Sequence, residues 1–191
     1  AQDLEPYAGR GYTGFLVQHD ETSTGTLFDM ELVGSFCRTN NLFLTVDCIS
    51  SFLADAVDME RWGAGAVIIG SQKAIALPPG VSALALTEEA CRRAEQAELR
   101  CLYLDVRTYL KDMERGQTPF TPAVGILIQM NARLADIAQN GGVDAQLAAV
   151  QERARYFRER SRALPFALFS RAPANGVTAL QTTAGLDARA L

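Results

Sequence analysis

Lysine is scarce in this chain, so amine chemistry has few candidate residues. All but two of the 18 basic residues are arginine, and the two lysines are Lys73 and Lys111. An arginine guanidinium stays protonated and cannot act as an amine nucleophile. Any reaction that joins a protein amine to a carbonyl therefore depends on one of these two lysines.

The surroundings of the two lysines differ. Lys73 follows the apolar run 66–69 and is followed by the apolar residues 74–77. Lysine is normally a solvated surface residue, and an apolar setting favours the neutral, nucleophilic amine. Lys111 has the acidic Asp112 beside it, which is typical of an exposed helix. The sequence therefore favours Lys73 as the reactive amine.

Two more polar groups follow apolar runs. Asp47 comes directly after residues 42–46, and the segment Glu21-Thr22-Ser23-Thr24-Gly25 offers three hydroxyl groups soon after residues 14–19. Taken alone, Asp47 is best interpreted as a turn cap, and the hydroxyl segment as a helix N-cap. The interest of these groups lies in their combination with Lys73.

Three buried strands are predicted at 14–19, 42–46 and 66–69, with helices at 27–39 and 59–62 between them. Such alternation indicates a parallel sheet that is covered on both faces. The carboxyl ends of parallel strands meet at the edge where α/β sheets bind ligands. We therefore expect the hydroxyl cluster, Asp47 and Lys73 to lie together. Pyridoxal phosphate requires such a set: hydroxyl donors for its phenolate and phosphate, a carboxylate for its ring nitrogen and an amine for its aldehyde.

The rest of the chain predicts a further strand at 82–86, amphipathic helices at 123–137 and 143–157, and short strands at 166–169 and 177–180. The expected fold class is α/β, a three-layer sandwich with a mostly parallel sheet, followed by the start of a small α+β C-terminal subdomain. We place the large domain at 1–140, and the connecting helix with the start of the small domain at 141–191.

Composition argues against several function classes. The net charge of −4 gives no reason to expect a nucleic-acid partner, and no apolar run approaches the roughly 20 residues that span a membrane. The four cysteines are isolated and the chain has a single histidine, so no metal site is expected and a cytoplasmic location is favoured. Residues 9–14 fit the pattern G-x-G-x-x-G, but they precede a predicted strand instead of opening a helix.

Four stretches together carry a family resemblance. They are residues 19–25 (HDETSTG), 46–51 (VDCISS), 70–73 (GSQK) and 77–80 (LPPG). In order and spacing they resemble the class V aminotransferases of fold type I, the group that includes alanine–glyoxylate, serine–pyruvate and 2-aminoethylphosphonate transaminases. The similarity runs from about Gly14 to Leu180 and implies the large domain of a pyridoxal-phosphate-dependent transferase.

The resemblance implies a role for five residues. Lys73 would bind the cofactor covalently and carry a proton between the substrate's α carbon and the cofactor. Asp47 would pair with the ring nitrogen, Thr22 would contact the phenolic oxygen, and Gln72 would lie near the phosphate or phenolate. Thr121 would reach the phosphate in the neighbouring subunit of a homodimer. Its simpler interpretation is a helix N-cap before Pro122.

The implied activity moves an amino group from a small amino donor, of the alanine, serine or 2-aminoethylphosphonate type, to a 2-oxo acid such as pyruvate or glyoxylate. Two alternatives remain. One is a non-catalytic fragment that serves dimerisation or regulation. The other is a desulfurase-type lyase, which would need a reactive cysteine in an exposed loop, and none of the four cysteines is expected to lie in one. Family members also have a phosphate loop and a ring-stacking aromatic residue before this region and a carboxylate-binding arginine after it. Since Arg171 does not match that arginine, we expect this chain to be a central portion of a longer protein.

Overall fold

The computed structural model describes residues 2–183 and 185–190. Over these residues the α-helices are α1 (Met30–Thr39), α2 (Met59–Trp62), α3 (Glu88–Gln96), α4 (Val106–Met113), α5 (Val124–Gln139) and α6 (Gly142–Ser161). The strands are β1 (Gly14–Gln18), β2 (Asp20–Glu21), β3 (Thr26–Leu27), β4 (Phe43–Asp47), β5 (Ala66–Gly70), β6 (Ser82–Leu86), β7 (Phe166–Leu168) and β8 (Leu180–Thr182). Two 3₁₀ turns, Glu5–Tyr7 and Ala188–Ala190, lie near the termini.

The central sheet has the strand order β1-β4-β5-β6. Strands β1, β4 and β5 are parallel, whereas β6 runs antiparallel to β5. Gln18 is in register with Asp47, and Asp47 with Ile68, so the three parallel strands end at one edge. The predicted α/β class with a mostly parallel sheet is confirmed.

One face of the sheet packs against α1 and α2. Side chains alternate between faces along a strand, and Val17, Val46 and Val67 point into this core. Helix α1 supplies the buried Val33. Burying an aliphatic side chain of this size contributes roughly 1.5–3 kcal/mol, so this layer anchors the strands that carry the cleft residues.

The opposite face of the sheet is more open. Leu16 on β1 is 81% exposed, and Leu84 on β6 is 52% exposed. Asp47 and Ile68 alternate onto this same face. The carboxylate that ends β4 therefore lies on the accessible side of the sheet.

The segment after β1 folds differently from its prediction. Residues 21–25 form a turn, in which the amides of Thr24 and Gly25 donate to the carbonyl of Glu21, and β2 pairs with β3 across it. The helix begins only at Met30, where the Asp29 carboxylate caps the amide of Leu32 at 3.0 Å. The interpretation of the hydroxyl segment as a helix N-cap is therefore wrong, because the aspartate supplies that cap.

The C-terminal part begins with two long helices that contact each other. Asn140 and Gly141 connect α5 to α6, where the sequence placed its domain boundary, and that boundary remains a prediction. Strand β7 pairs with β8. Strand β8 begins at Leu180, three residues later than the strand predicted at 177–180. Residues 172–174 return to the β3 region: the Leu27 amide donates to the Ala172 carbonyl at 2.8 Å.

Within the part of the chain that the structure describes, no helix has both the length and the apolar character needed to cross a membrane. In the same residues, no three His, Cys, Asp or Glu side chains are grouped as metal ligands would be.

Candidate active site

A cleft of about 610 Å³ lies at the carboxyl edge of the parallel strands. Its floor includes apolar side chains of the open sheet face, such as Leu16 and Ile68. Its ionisable lining consists of Asp20, Glu21, Asp47 and Lys73. The structure thus brings Lys73 and Asp47 together, as the order of strands predicts.

Asp47 is half-buried at the end of β4. One carboxylate oxygen, Oδ1, accepts a hydrogen bond from the amide of Ile49 at 2.8 Å. The backbone carbonyl of Asp47 also accepts from the His19 amide at 2.8 Å, which ties the end of β4 to the end of β1. Asp47 is therefore a turn cap, as predicted, and it also lies along the cleft, where its role toward a cofactor remains a prediction.

Lys73 lies in a tightly bonded loop after β5. The buried Ser71 hydroxyl donates to the Pro78 carbonyl at 2.7 Å and accepts from the Val81 amide at 3.3 Å. The Ala76 amide donates to the Lys73 carbonyl at 2.8 Å, and Ala76 itself has a φ of +65°, a conformation that costs an L-residue about 1 kcal/mol. The loop thus holds the lysine backbone in one position.

The Lys73 side chain is exposed at the cleft. The prediction of an apolar setting for this amine is wrong in the described chain, because the buried apolar residue of the loop is Ile75, two positions later. By contrast, Lys111 is exposed on α4, as predicted, and is not part of this cleft.

Thr22 links the two loops that border the cleft. Its hydroxyl lies 2.8 Å from the hydroxyl of Ser50, in the loop after β4. Both residues line the cleft, and Thr22 is exposed there. A hydroxyl at the cleft, already oriented by a neighbouring hydroxyl, can donate to an oxygen of a bound ligand.

The other two predicted residues lie outside this lining. Gln72 is exposed, and its side chain folds over Gly70. Thr121 is exposed ahead of α5. The interpretation of Thr121 as a helix N-cap is wrong, since Ala123 holds the N-cap position and the helix begins at Val124. What either residue binds remains a prediction.

The comparisons with known proteins agree with this geometry. A family model described as Aminotransferase class-V matches residues 3–189. The chain belongs to the class-V aminotransferase family. Members of this family depend on pyridoxal phosphate. The amine, carboxylate and hydroxyl of the cleft are the groups that this cofactor requires.

Individual relatives cover most of this class-V chain. The small subunit of a soluble hydrogenase from Synechococcus sp. is 31% identical over 81% of this chain and 40% of its own length. A 2-aminoethylphosphonate–pyruvate transaminase from Burkholderia ambifaria is 31% identical over 79% of this chain and 40% of its own length. The crystal structure of an aspartate aminotransferase from Thermus thermophilus superposes with a TM-score of 0.87 at 26% identity, covering 97% of this chain and 52% of that one. The chain thus spans about two fifths of these curated relatives.

Asp20 was not predicted as a site residue, yet it also lines the cleft of this class-V family chain. Both of its carboxylate oxygens are buried, and among the described residues neither has a hydrogen-bond partner. Burial raises the pKa of Asp20 to about 6, with smaller contributions from the negative charges of Asp55 and Glu21, while the positive charge of Lys73 opposes them. The sequence signals were its place in the stretch 19–25 and its position beside the acidic Glu21.

His19 and Ser51 were not predicted to pair. The His19 Nδ1 atom lies 3.0 Å from the Ser51 hydroxyl, and the imidazole ring meets Trp62 edge-on, with the ring centroids 4.7 Å apart. Both residues are buried, and burial lowers the pKa of His19 to about 4. The imidazole is therefore neutral near pH 7, and the pair packs the end of β1 instead of facing a substrate.

The prediction that no cysteine lies in an exposed loop is wrong, because Cys101 is exposed in the irregular segment between α3 and α4. Cys37 and Cys48 are buried, and burial raises the pKa of Cys48 to about 11, which suppresses its thiolate. The lining of the cleft includes no cysteine among the described residues.

Proposed function

We propose that this chain forms the cofactor-binding part of a pyridoxal-phosphate-dependent aminotransferase. The enzyme would move an amino group from a small amino donor, of the alanine, serine or 2-aminoethylphosphonate type, to a 2-oxo acid such as pyruvate or glyoxylate. The observation that carries this proposal is the shared cleft of Lys73 and Asp47 at the ends of two parallel strands. Membership of the class-V family supports it.

The cofactor, when bound, supplies an electrophilic aldehyde and a ring that accepts electrons. Lys73 is the amine of the cleft that would hold the aldehyde and move a proton at the substrate's α carbon. The carboxylate of Asp47 would hold a proton on the ring nitrogen, since a nearby negative charge favours the protonated form. Thr22 would donate to the phenolic oxygen, and Gln72 would contact the cofactor near its phosphate or phenolate.

The assembly is also a proposal. A homodimer, in which Thr121 reaches the phosphate in the partner subunit, agrees with the exposure of this residue and with its distance in the chain from the cleft loops. A cytoplasmic location agrees with the free thiols of Cys37 and Cys48. Neither point is needed for the role of Lys73.

A half-reaction tests the activity. The protein, loaded with pyridoxal phosphate, is mixed with L-alanine, L-serine or 2-aminoethylphosphonate, and pyridoxamine phosphate is measured by chromatography. We expect conversion with at least one donor in the wild-type and Lys111→Ala proteins, and none with Lys73→Ala. A protein that binds the cofactor but converts no amino donor would contradict the aminotransferase assignment. A colourless protein that added cofactor cannot restore would support the non-catalytic alternative.

A desulfurase-type lyase is the second candidate, because Cys101 is exposed. Such an enzyme would convert L-cysteine to alanine and leave the sulfur on the Cys101 thiol as a persulfide, which an added reducing thiol releases as sulfide; Cys101→Ser would lose that activity. The aminotransferase assignment predicts that Cys101→Ser leaves the half-reaction unchanged. Sulfide release and the half-reaction are both measured on the wild-type and Cys101→Ser proteins, so one comparison distinguishes the two activities.

A further inference from the structure

Asp20 is the least satisfied ionisable group among the described residues. It is only 3% exposed, and its two carboxylate oxygens are the buried side-chain oxygens of the described chain that lack a hydrogen-bond partner. An unpaired carboxylate in such a place costs several kcal/mol, unless it takes up a proton or faces a compensating charge. The surroundings of Asp20 therefore decide its charge.

The neighbouring groups supply little compensation apart from one amine. Glu21 on the same strand and Asp55 in the loop after β4 are both acidic, and the adjacent His19 is neutral near pH 7. Lys73 is the residue whose positive charge favours the ionised form of Asp20.

Asp55 differs from Asp20 in having its own donors. Its carboxylate accepts from the Asn175 backbone amide at 3.0 Å and from the Asn175 side-chain amide at 2.8 Å. Arg158 on α6 adds a favourable positive charge. Of the two buried carboxyl groups, Asp20 is thus the one whose charge is left to Lys73.

We propose that Asp20 is a positioning residue of the cleft, whose buried carboxyl group forms a charge-coupled pair with the Lys73 amine. The inference rests on the proposed function, in that Lys73 is taken as the cofactor-binding amine. Both residues line the same cleft, so a change in the charge of Asp20 alters the electrostatic potential at the Lys73 amine. Asp20 also changes the charge of a cleft that otherwise carries Glu21 and Asp47, which oppose an anionic ligand such as a phosphate.

The scarcity of lysine makes the coupling measurable. Reductive methylation with ¹³C-formaldehyde labels Lys73, Lys111 and the N-terminal amine, and their NMR signals can be followed from pH 4.5 to 8. We expect the Lys73 signal of the wild-type protein to show an inflection near pH 6, where Asp20 titrates. The Lys111 signal, on a different surface, serves as an internal reference without this inflection.

Two variants sharpen the test. The isosteric Asp20→Asn should remove the inflection at Lys73, because the titrating carboxyl group is lost. Glu95→Gln on α3 makes the same change in net charge at an exposed site and should leave both signals unchanged. Asp20→Glu should retain an inflection, which a purely structural role would not require.

The outcomes separate this inference from the proposed function. A folded wild-type protein with no inflection at Lys73 would overturn the coupling, whether or not pyridoxal phosphate labels that lysine. An inflection in the absence of labelling would overturn the proposed function and leave the coupling standing. If Asp20→Asn does not fold, the wild-type and Asp20→Glu titrations still decide the question.

Discussion

His19 and Asp20 are consecutive residues that are both buried, yet their pKa values move in opposite directions. Burial lowers the pKa of His19 to about 4 and raises the pKa of Asp20 to about 6. Each shift favours the uncharged form, because charge is costly away from water. Between these values both side chains are neutral where the chain passes from β1 into β2.

The opposite shifts predict that the His19 and Asp20 contributions to the pH dependence of stability offset each other. Since His19 resists protonation in the folded state, its contribution to the free energy of unfolding is lost as the pH falls from 6.5 to about 4. Since Asp20 resists ionisation, its contribution is lost as the pH rises from 3.8 to about 6. The two slopes, each up to about 1.4 kcal/mol per pH unit, nearly cancel in the wild-type protein.

Asp20→Asn should expose the His19 contribution. We expect the free energy of unfolding of the variant, relative to the wild type, to rise by up to about 3 kcal/mol between pH 4 and 6. Urea denaturation at pH 4, 5 and 6 measures it, with Glu95→Gln as the control for net charge. Parallel profiles for Asp20→Asn and the wild type would show that Asp20 titrates normally.

The contact between α1 and α2 depends on a glycine. A Cβ atom at Gly34 would lie 2.0 Å from the Trp62 carbonyl oxygen, so the helices approach through backbone atoms. We expect Gly34→Ala to lower the free energy of unfolding by about 2 kcal/mol or more, because the core must shift to admit the methyl group.

Gly125 provides the matched control. It lies in α5, and a Cβ atom there would meet nothing within 4 Å among the described residues. Alanine is the better helix former, so Gly125→Ala should raise the free energy of unfolding by roughly 0.5–1 kcal/mol. Thermal denaturation of both variants checks the contrast, and equal effects would mean that the Gly34 contact is loose.

Asp47→Asn separates the turn from the cofactor. An asparagine Oδ1 can still accept the hydrogen bond from Ile49, so stability should change by less than about 1 kcal/mol. The negative charge that would favour a protonated ring is lost, and we expect pyridoxal phosphate to be retained at least about tenfold less tightly. Fluorescence titration with the cofactor gives this ratio. Unchanged affinity together with unchanged turnover would make Asp47 purely structural.

The sequence predicts the parts of the cleft that depend on strand order. Lys73, Asp47 and Thr22 each follow an apolar run, and parallel strands bring such positions to one edge whatever the details of packing. The same reasoning cannot give the direction of β6, because residues 82–86 read alike in either orientation. It also misplaced the start of α1, since the competing cap at Asp29 decides where the helix begins.

The sequence does not predict the long-range polar contacts. Asp55 and Asn175 are separated by 120 positions, and no local pattern relates them. Likewise, the exposure of Lys73 and the burial of Asp20 depend on how loops pack, which alternation along a strand does not determine. Lys73 and Asp20, whose environments the sequence does not predict, therefore both contribute to the charge of the cleft.

The most direct measurement of the central claim is the site of covalent cofactor attachment. The protein is incubated with pyridoxal phosphate and reduced with borohydride, and its intact mass and peptide map are compared with an unreduced sample. We predict one label on Lys73 in the wild-type and Lys111→Ala proteins, and no label in Lys73→Ala. Label on Lys111, or a folded protein that takes up none at Lys73, would contradict the account.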